Sequence, residues 1–206
     1  MPTISVVIAS HGYGHLAAHC IESVLDQSHK ADSILFVDDG VNDCAHLPAI
    51  YPELDYTLRP ANLGTIDNFN DMLSKVTTDR VMFLGADNWL HPKCLEVCMA
   101  YDADIIVPQI AVVGEMKRPF LNHIGIGRKL AYPVWQFGPN DFDHHGSMMY
   151  DVAMAKEVGY AQQPHAVKTE EDKYLYAGMR KQGARVAYTN DPLIYYRRHR
   201  VNGNRP

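Results

Sequence analysis

Three polar turns carry the residues most able to do chemistry: Ser10-His11-Gly12, Asp38-Asp39-Gly40 and Gly85-Ala86-Asp87-Asn88. Each follows directly on a run of aliphatic and β-branched residues. One acidic turn is ordinary, because Asp-Gly turns well and ends many strands. Two acidic turns facing one crevice carry more meaning, since clustered carboxylates repel one another unless a cation or a hydrogen-bond donor satisfies them. Further along stand Glu170-Glu171-Asp172 and the basic cluster Tyr196-Arg197-Arg198-His199-Arg200. On spacing alone the former is the acidic first turn of a helix, where carboxylates favour the macrodipole.

Alternating strands and helices must position these turns. Ile4 to Ala9 is a β-branched run bounded by glycine, the pattern of a strand buried on both faces. Leu16, Cys20, Ile21, Val24 and Leu25 recur at helical spacing between His15 and Gln27. Ile34 to Val37 is a second strand, and a third is expected near Tyr56 to Leu58. Ile66, Phe69, Leu73 and Val76 mark a helix, with Thr65 as its expected N-cap. Arg80 to Leu84 is a strand, Pro92 suits the first turn of a helix running to about Tyr101, and Ile105 to Val107 is a further strand. About thirty residues per strand-helix-strand unit implies right-handed crossovers and parallel strands. Ligands of such sheets bind beyond the carboxyl ends of the strands, where the three turns lie. Residues 109–145 hold scattered glycines and prolines and favour loops and short strands. Regularity returns with helices near Val152 to Val158 and Asp172 to Gln182, and a strand at Leu193 to Tyr196.

The chain has 206 residues, 47% hydrophobic and 21% charged, which fits one well-buried α/β domain and excludes disorder, collagen and coiled coil. A formal net charge of -5 leaves no global basic field for nucleic acid. No apolar run approaches a membrane span and no leader opens the chain, so a cytoplasmic protein is expected. The thiols of Cys20, Cys44, Cys94 and Cys98 are expected reduced; Cys94 and Cys98 share a helical face but lack a second close pair for zinc. His11, His15 and His19 recur every four residues, and His15 and His19 read as an exposed helical face. Neither G-x-x-x-x-G-K-S/T nor G-x-G-x-x-G follows the first strand, which removes the common triphosphatase and dinucleotide-dehydrogenase readings.

Taken in order, these segments resemble the family-2 glycosyltransferases of the GT-A fold. Ile4 to Ser10 with Ile21-Glu22-Ser23-Val24-Leu25-Asp26-Gln27-Ser28 is similar to the family's valine-rich strand and its E-S-V/I-L-x-Q-S/T helix. Phe36-Val37-Asp38-Asp39-Gly40 with Asn42-Asp43 resembles V-D-D-G-S-x-D, and Arg59 to Gly64 resembles R-x-x-N-x-G. Phe83-Leu84-Gly85-Ala86-Asp87-Asn88 through Pro92 stands where F-L-D-A-D-D-x-x-x-P is expected. Gly146-Ser147-Met148-Met149 resembles G-S-x-M. Glu170-Glu171-Asp172 with Leu175, Gly183 and Tyr196 to His199 resembles the terminal E-D-x-x-L, G and Y-R-x-H pattern. Two departures concern the central acidic motif: Gly85 replaces its first carboxylate and Asn88 its common final aspartate.

The resemblance implies a single GT-A domain over 1–206, with a nucleotide-sugar-binding half at 1–108 and an acceptor-binding, catalytic half at 109–206. It implies inverting transfer of a sugar from a nucleotide-diphosphate donor, a UDP-sugar favoured, to a hydroxyl of a glycan or a lipid- or protein-linked acceptor. A divalent cation, Mn²⁺ or Mg²⁺, would neutralise the leaving diphosphate. Asp87 is then the expected metal ligand and His199 a second one. Asp39 becomes the acceptor for the N3–H of a uracil or thymine ring, and Asp38 orients the turn or the ribose. Ala9, Ser10, His11, Arg59, Asn62, Gly64 and Ala86 line the donor site, and His145 lies near the donor sugar or acceptor. Asp172 is the expected general base, with Glu171 orienting the acceptor or the loop. Two other classes fit parts of the pattern. A GT-A-like binding module without catalysis is favoured by Gly85 and Ala86. A nucleotidyltransferase shares the carboxylates, but Ser10 to Gly14 lacks the basic loop such enzymes carry.

Overall fold

A computed structural model describes residues 2–114, 128–131, 134–136, 146–164 and 170–199. The first half runs β1 (Ile4–Ser10), α1 (Gly14–Leu25), β2 (Ser33–Asp38), α2 (Leu47–Ile50), β3 (Leu54–Leu58), α3 (Thr65–Lys75), β4 (Arg80–Gly85), β5 (Trp89–Leu90), α4 (Cys94–Met99) and β6 (Ile105–Gly114). Then follow β7 (Arg128–Ala131), β8 (Val134–Gln136), β9 (Met149–Asp151), α5 (Val152–Val158), α6 (Glu171–Lys181) and β10 (Val186–Arg198). No helix of the described residues is long and apolar enough to cross a membrane.

All ten strands join one sheet, ordered β3-β2-β1-β4-β9-β6-β10-β5, with β8 on β6 and β7 on β8. The pairs β1–β2, β1–β4, β2–β3 and β6–β10 are parallel. β9 is antiparallel to both its neighbours, β4 and β6. This is the mostly parallel mixed α/β sheet expected from the alternating pattern.

Strand alternation sorts the core into two layers, because successive side chains leave a strand on opposite faces. Val6, Ile8, Phe36, Met82 and Leu84 join α1 and α4 on one side, through Ala17, Cys20, Ile21 and Val24 and through Cys94, Leu95 and Cys98. Val7, Leu35, Val81 and Phe83 face the other side, where α3, α5 and α6 cover them with Met72, Leu73, Ala155, Leu175 and Met179. Each fully buried Val, Leu, Ile or Phe contributes about 1.5–3 kcal/mol of transfer free energy, so both layers are needed. Gln27, buried at the end of α1, donates to the carbonyls of Ser23 and His91 and accepts from the Leu95 amide. It thereby caps two elements at once, a physical reason for glutamine at that place in the motif.

Local expectations shift in several places, among them β6, which runs on from Val107 to Gly114. Thr65 lies inside α3; Gly64, at φ 76°, holds the cap position with no side-chain cap. The segment Pro92-Lys93 turns before α4, which starts at Cys94 and ends at Met99, where the Ala100 and Tyr101 amides bond three residues back to Val97 and Cys98. The third strand begins at Leu54, since parallel pairing with β2 starts at Ile34↔Leu54. The last strand spans Val186–Arg198, because pairing with β6 carries it through bulges on either side of Pro192.

Candidate active site

The end of β1 is the floor between two turns. Ser10 O accepts the Asp39 amide at 2.8 Å, and Ala9 O accepts the Ala86 amide at 2.9 Å. The turns after β2 and β4 are thus both anchored to Ala9-Ser10, as the parallel strand order requires.

Asp38 is fully buried, and its carboxylate organises the first turn. Oδ1 accepts the amides of Val41 and Asn42 and Oδ2 that of Cys44, each at 3.1 Å, while the Tyr56 hydroxyl donates to Oδ2 at 3.4 Å. Burial and this carboxylate push the Tyr56 phenol up to about 12. Of the two roles expected for Asp38, orienting the turn is the one its contacts occupy. Asp43 accepts the Gly14 amide at 2.8 Å and the Cys44 thiol at 3.3 Å. Ligand atoms of Asp38, Asp43 and Cys44 lie within 4.8 Å of one another, a grouping the sequence reading did not single out. Its carboxylate oxygens already accept amide N–H groups, the Cys44 thiol also reaches Ser10 Oγ at 3.4 Å, and burial pushes that thiol up to about 12.

Asp39 is 5% exposed. Its Oδ1 accepts the Leu63 amide at 3.1 Å, and Arg59 Nε stands 3.7 Å away. Arg59, expected among the residues lining the donor site, donates to Asn68 Oδ1 at 2.8 Å and to Asp71. Its guanidinium is turned into the protein, 9% exposed, because it satisfies these acceptors and braces Asp39; it holds Asp71 below the usual carboxylate range. His11 Nδ1 lies 3.0 Å from the Asp39 carbonyl, and Asn62 Nδ2 lies 3.2 Å from His11 Nε2. Gly40 permits this close assembly: a Cβ there would lie 2.4 Å from the Asn62 amide nitrogen. Gly64 follows with φ 76°, starting α3 beyond the loop.

On the other side of Ala9, Asp87 is 6% exposed and its Oδ2 lies 3.2 Å from His199 Nε2. Burial raises the Asp87 carboxyl, opposed by the His199 contact. His199 also meets the Tyr13 ring edge-on, centroids 5.6 Å apart. The place of the missing carboxylate is filled. A Cβ on Gly85 would stand 2.7 Å from Asp87 Oδ1 and 3.0 Å from Asn88 Nδ2, so both side chains fold back over the glycine. The Cys20 thiol beneath contacts the Gly85 carbonyl at 3.8 Å, and burial pushes it far up. Arg197, Trp89 and His19 join this side; the sequence signal for them is a basic residue two before His199 and an aromatic two after Asp87. His15 and His19 are both exposed on α1, as expected, yet the His19 ring lies tilted against Trp89, centroids 4.6 Å apart.

Asp172, in the first turn of α6, is half-buried against Gly146, where a Cβ would lie 3.3 Å from its Oδ2. Burial and the neighbouring Glu171 push its carboxyl up to about 7. Because β9 runs antiparallel to β4 with Met82↔Met149, the residues before it, Gly146 to Met148, extend toward the Gly85 end of β4. Asp172 therefore stands beyond the same carboxyl ends of the strands as the other acidic groups. His145 lies outside the described residues.

Residues 5–159 match the family model described as glycosyl transferase family 2, and the chain belongs to that family. Among curated relatives, an uncharacterized glycosyltransferase of Nostoc sp. is 33% identical over 98 residues, covering 45% of this chain and 30% of its own length. Glycosyltransferase GlyA of Streptococcus pneumoniae is 24% identical over 129 residues, 59% of this chain and 18% of that protein. The chain thus spans about a third or less of these relatives. Residues 1–349 of S. aureus TarS, solved in complex with UDP-GlcNAc, superpose with a TM-score of 0.75 at 14% identity, over 97% of this chain and 60% of that one. The same protein without that ligand gives 0.74 at 15% identity, over 95% and 60%. These neighbours share the GT-A fold.

Proposed function

We propose that this chain moves a sugar from a UDP-sugar to a hydroxyl acceptor, inverting the anomeric carbon. One observation carries the reading: Asp39 and the Asp87–His199 pair stand on either side of the end of β1, anchored to Ser10 and Ala9. Family membership supports glycosyl transfer, and the UDP-GlcNAc and UDP complexes of TarS support a uridine nucleotide. On this reading residues 1–108 form the nucleotide-sugar half and 109–206 the acceptor half.

Asp39 would accept the N3–H of the base through the carboxylate capacity left by Leu63 and Arg59. His11 and Asn62 would border the base, with Gly40 and Gly64 setting the loop that carries them. Asp87 and His199 fit a divalent cation: one buried carboxylate and one imidazole, adjacent, form a mixed O and N donor pair compatible with Mn²⁺ and leave further positions to phosphate oxygens and water. When bound, that cation supplies positive charge to the departing diphosphate. Asp172 would take the proton of the acceptor hydroxyl as its oxygen bonds to C1, while UDP leaves with the electrons of the C1–O bond. Glu171 would orient the acceptor and, by its charge, helps keep the Asp172 carboxylate basic. The acceptor class is a glycan, or a lipid- or protein-linked hydroxyl.

The test is thermal stability with UDP, dTDP and GDP, each with and without Mn²⁺. Ligand at one hundred times its dissociation constant adds about 2.7 kcal/mol. A Mn²⁺-dependent shift with UDP, abolished by chelation and by Asp39→Ala, supports the reading. The absence of any shift would move it to a binding module without a nucleotide donor. Release of pyrophosphate in place of UDP during turnover would point to nucleotidyl transfer.

A further inference from the structure

The C-terminal strand grips the turn after β4 through one residue. The Arg197 amide donates to Asn88 Oδ1 at 2.9 Å, and its Nε donates to the Asp87 carbonyl at 3.0 Å. Its guanidinium carbon lies 4.5 Å from the centre of the Trp89 ring, and Nη2 lies 3.0 Å from His19 Nδ1. Arginine offers no acceptor, so His19 Nδ1 is the acceptor in that contact. Three consecutive residues of the turn and one side chain of α1 therefore meet the same guanidinium and its backbone.

Strand pairing alone does not account for this. On one side β10 follows β6, with Arg197↔Val113 and Arg198↔Gly114 in register. That ladder sets the course of the strand along β6. On the other side, pairing with β5 stops at Tyr195↔Trp89. Past that point Arg197 reaches residues 87 and 88, and His199 reaches residue 87. Beyond the ladder, His199 must still be brought to Asp87.

We infer that Arg197 is the positioning residue of the Asp87–His199 pair: by holding Asp87, Asn88 and Trp89 together it sets His199 against Asp87. What the pair binds rests on the function proposed above; the positioning does not. A planar fork suits the task, because it can direct Nε–H at a carbonyl while its face lies on an indole, which a lysine ammonium cannot do at once.

The experiment compares the full chain with Arg197→Ala, Arg197→Gln and Arg197→Lys by two measurements. The first, with neither metal nor nucleotide, is the proton cross-relaxation between the Tyr13 and His199 rings. The second is the electron paramagnetic resonance signal of free Mn²⁺ in the presence of UDP. The expected result is loss of the ring-to-ring signal in the alanine and glutamine variants, with the amide spectrum elsewhere unchanged. Mn²⁺ affinity should fall at least tenfold in both, and lysine should restore part of each. Glutamine keeps the inference testable if alanine fails to fold. An intact Tyr13–His199 signal in the folded alanine or glutamine variant overturns the inference, whatever Mn²⁺ does. Loss of that signal in a protein whose wild type retains no Mn²⁺ leaves the positioning standing and overturns the cation reading instead.

Discussion

His199 Nε2 stands 3.2 Å from Asp87 Oδ2, joining two residues 112 apart in sequence. The two ride on different supports, the turn after β4 and the end of β10, so the pair exists only where both supports are anchored. Asp87→Ala is therefore expected to abolish the Mn²⁺-dependent part of UDP binding while leaving the far-ultraviolet spectrum unchanged. Calorimetric titration of UDP with and without Mn²⁺ checks this; unchanged Mn²⁺ dependence would remove Asp87 from the cation site.

Putting back the family's first carboxylate should harm this protein. A Cβ at residue 85 would lie 2.7 Å from Asp87 Oδ1, so Asp87 would have to swing off the glycine it covers. The prediction for Gly85→Asp is weaker Mn²⁺-dependent UDP binding than wild type, by about tenfold or 1.4 kcal/mol. A gain in affinity would show that the site accommodates a second carboxylate and that Asp87 has an alternative position.

Asp172 gives a pH signature. Its carboxyl, pushed up to about 7 by burial and Glu171, can accept a proton only when ionised. Transfer rate should rise with pH through about 7 and then level off. Asp172→Asn should lower kcat by about 10²- to 10⁴-fold with UDP affinity unchanged. Stability carries the opposite sign. A raised folded-state value favours the folded protein fully below the ordinary aspartate range of about 4, and that contribution disappears as pH climbs to about 7. Urea midpoints of wild type and Asp172→Asn, compared from pH 4 upward, should converge in slope only above about 7. A wild-type rate independent of pH across this window would exclude Asp172 as the base.

Arg59→Ala should act on stability and on binding together. The guanidinium braces buried Asp39 and donates to Asn68 and Asp71, and its loss leaves those acceptors short of a donor. Hydrogen bonds to charged groups contribute about 1.5–3 kcal/mol, which sets the expected loss in urea unfolding. UDP affinity should fall as Asp39 loses its fixed orientation. A destabilised variant that binds UDP normally would confine Arg59 to packing.

The fold was legible because the physics that writes it is local and periodic. Ile4 to Ala9 buries alternate residues in opposite layers, and the spacing of Cys20, Ile21 and Val24 turns one face of α1 to the sheet. The acidic turns were legible for a related reason, since a parallel strand must end in a turn and that turn meets the crevice. Contacts that depend on tertiary direction were not. Arg59 carries the same charge whether it faces a ligand or Asp71, and only the packing of α3 decides. Thr65 has the chemistry of a cap, but Gly64 adopts φ 76°, which admits the chain one residue earlier. Asp38 and Asp39 are identical side chains in sequence; one is consumed by the amides of residues 41, 42 and 44, the other keeps capacity to spare.

β9 lies between β4 and β6 although residues 86–148 separate it from the first of these in sequence. During synthesis, β1 to β4 leave the ribosome as a parallel set whose β4 edge has no partner until Met149–Asp151 appears. β6 waits for β9 as well, and for the still later Val186–Arg198. Closure of the sheet is therefore a late event dominated by distant pairings, the kind that folds slowly and leaves strand edges open to wrong partners. A nascent chain halted after β6 would leave the β9-facing edges of β4 and β6 unpaired.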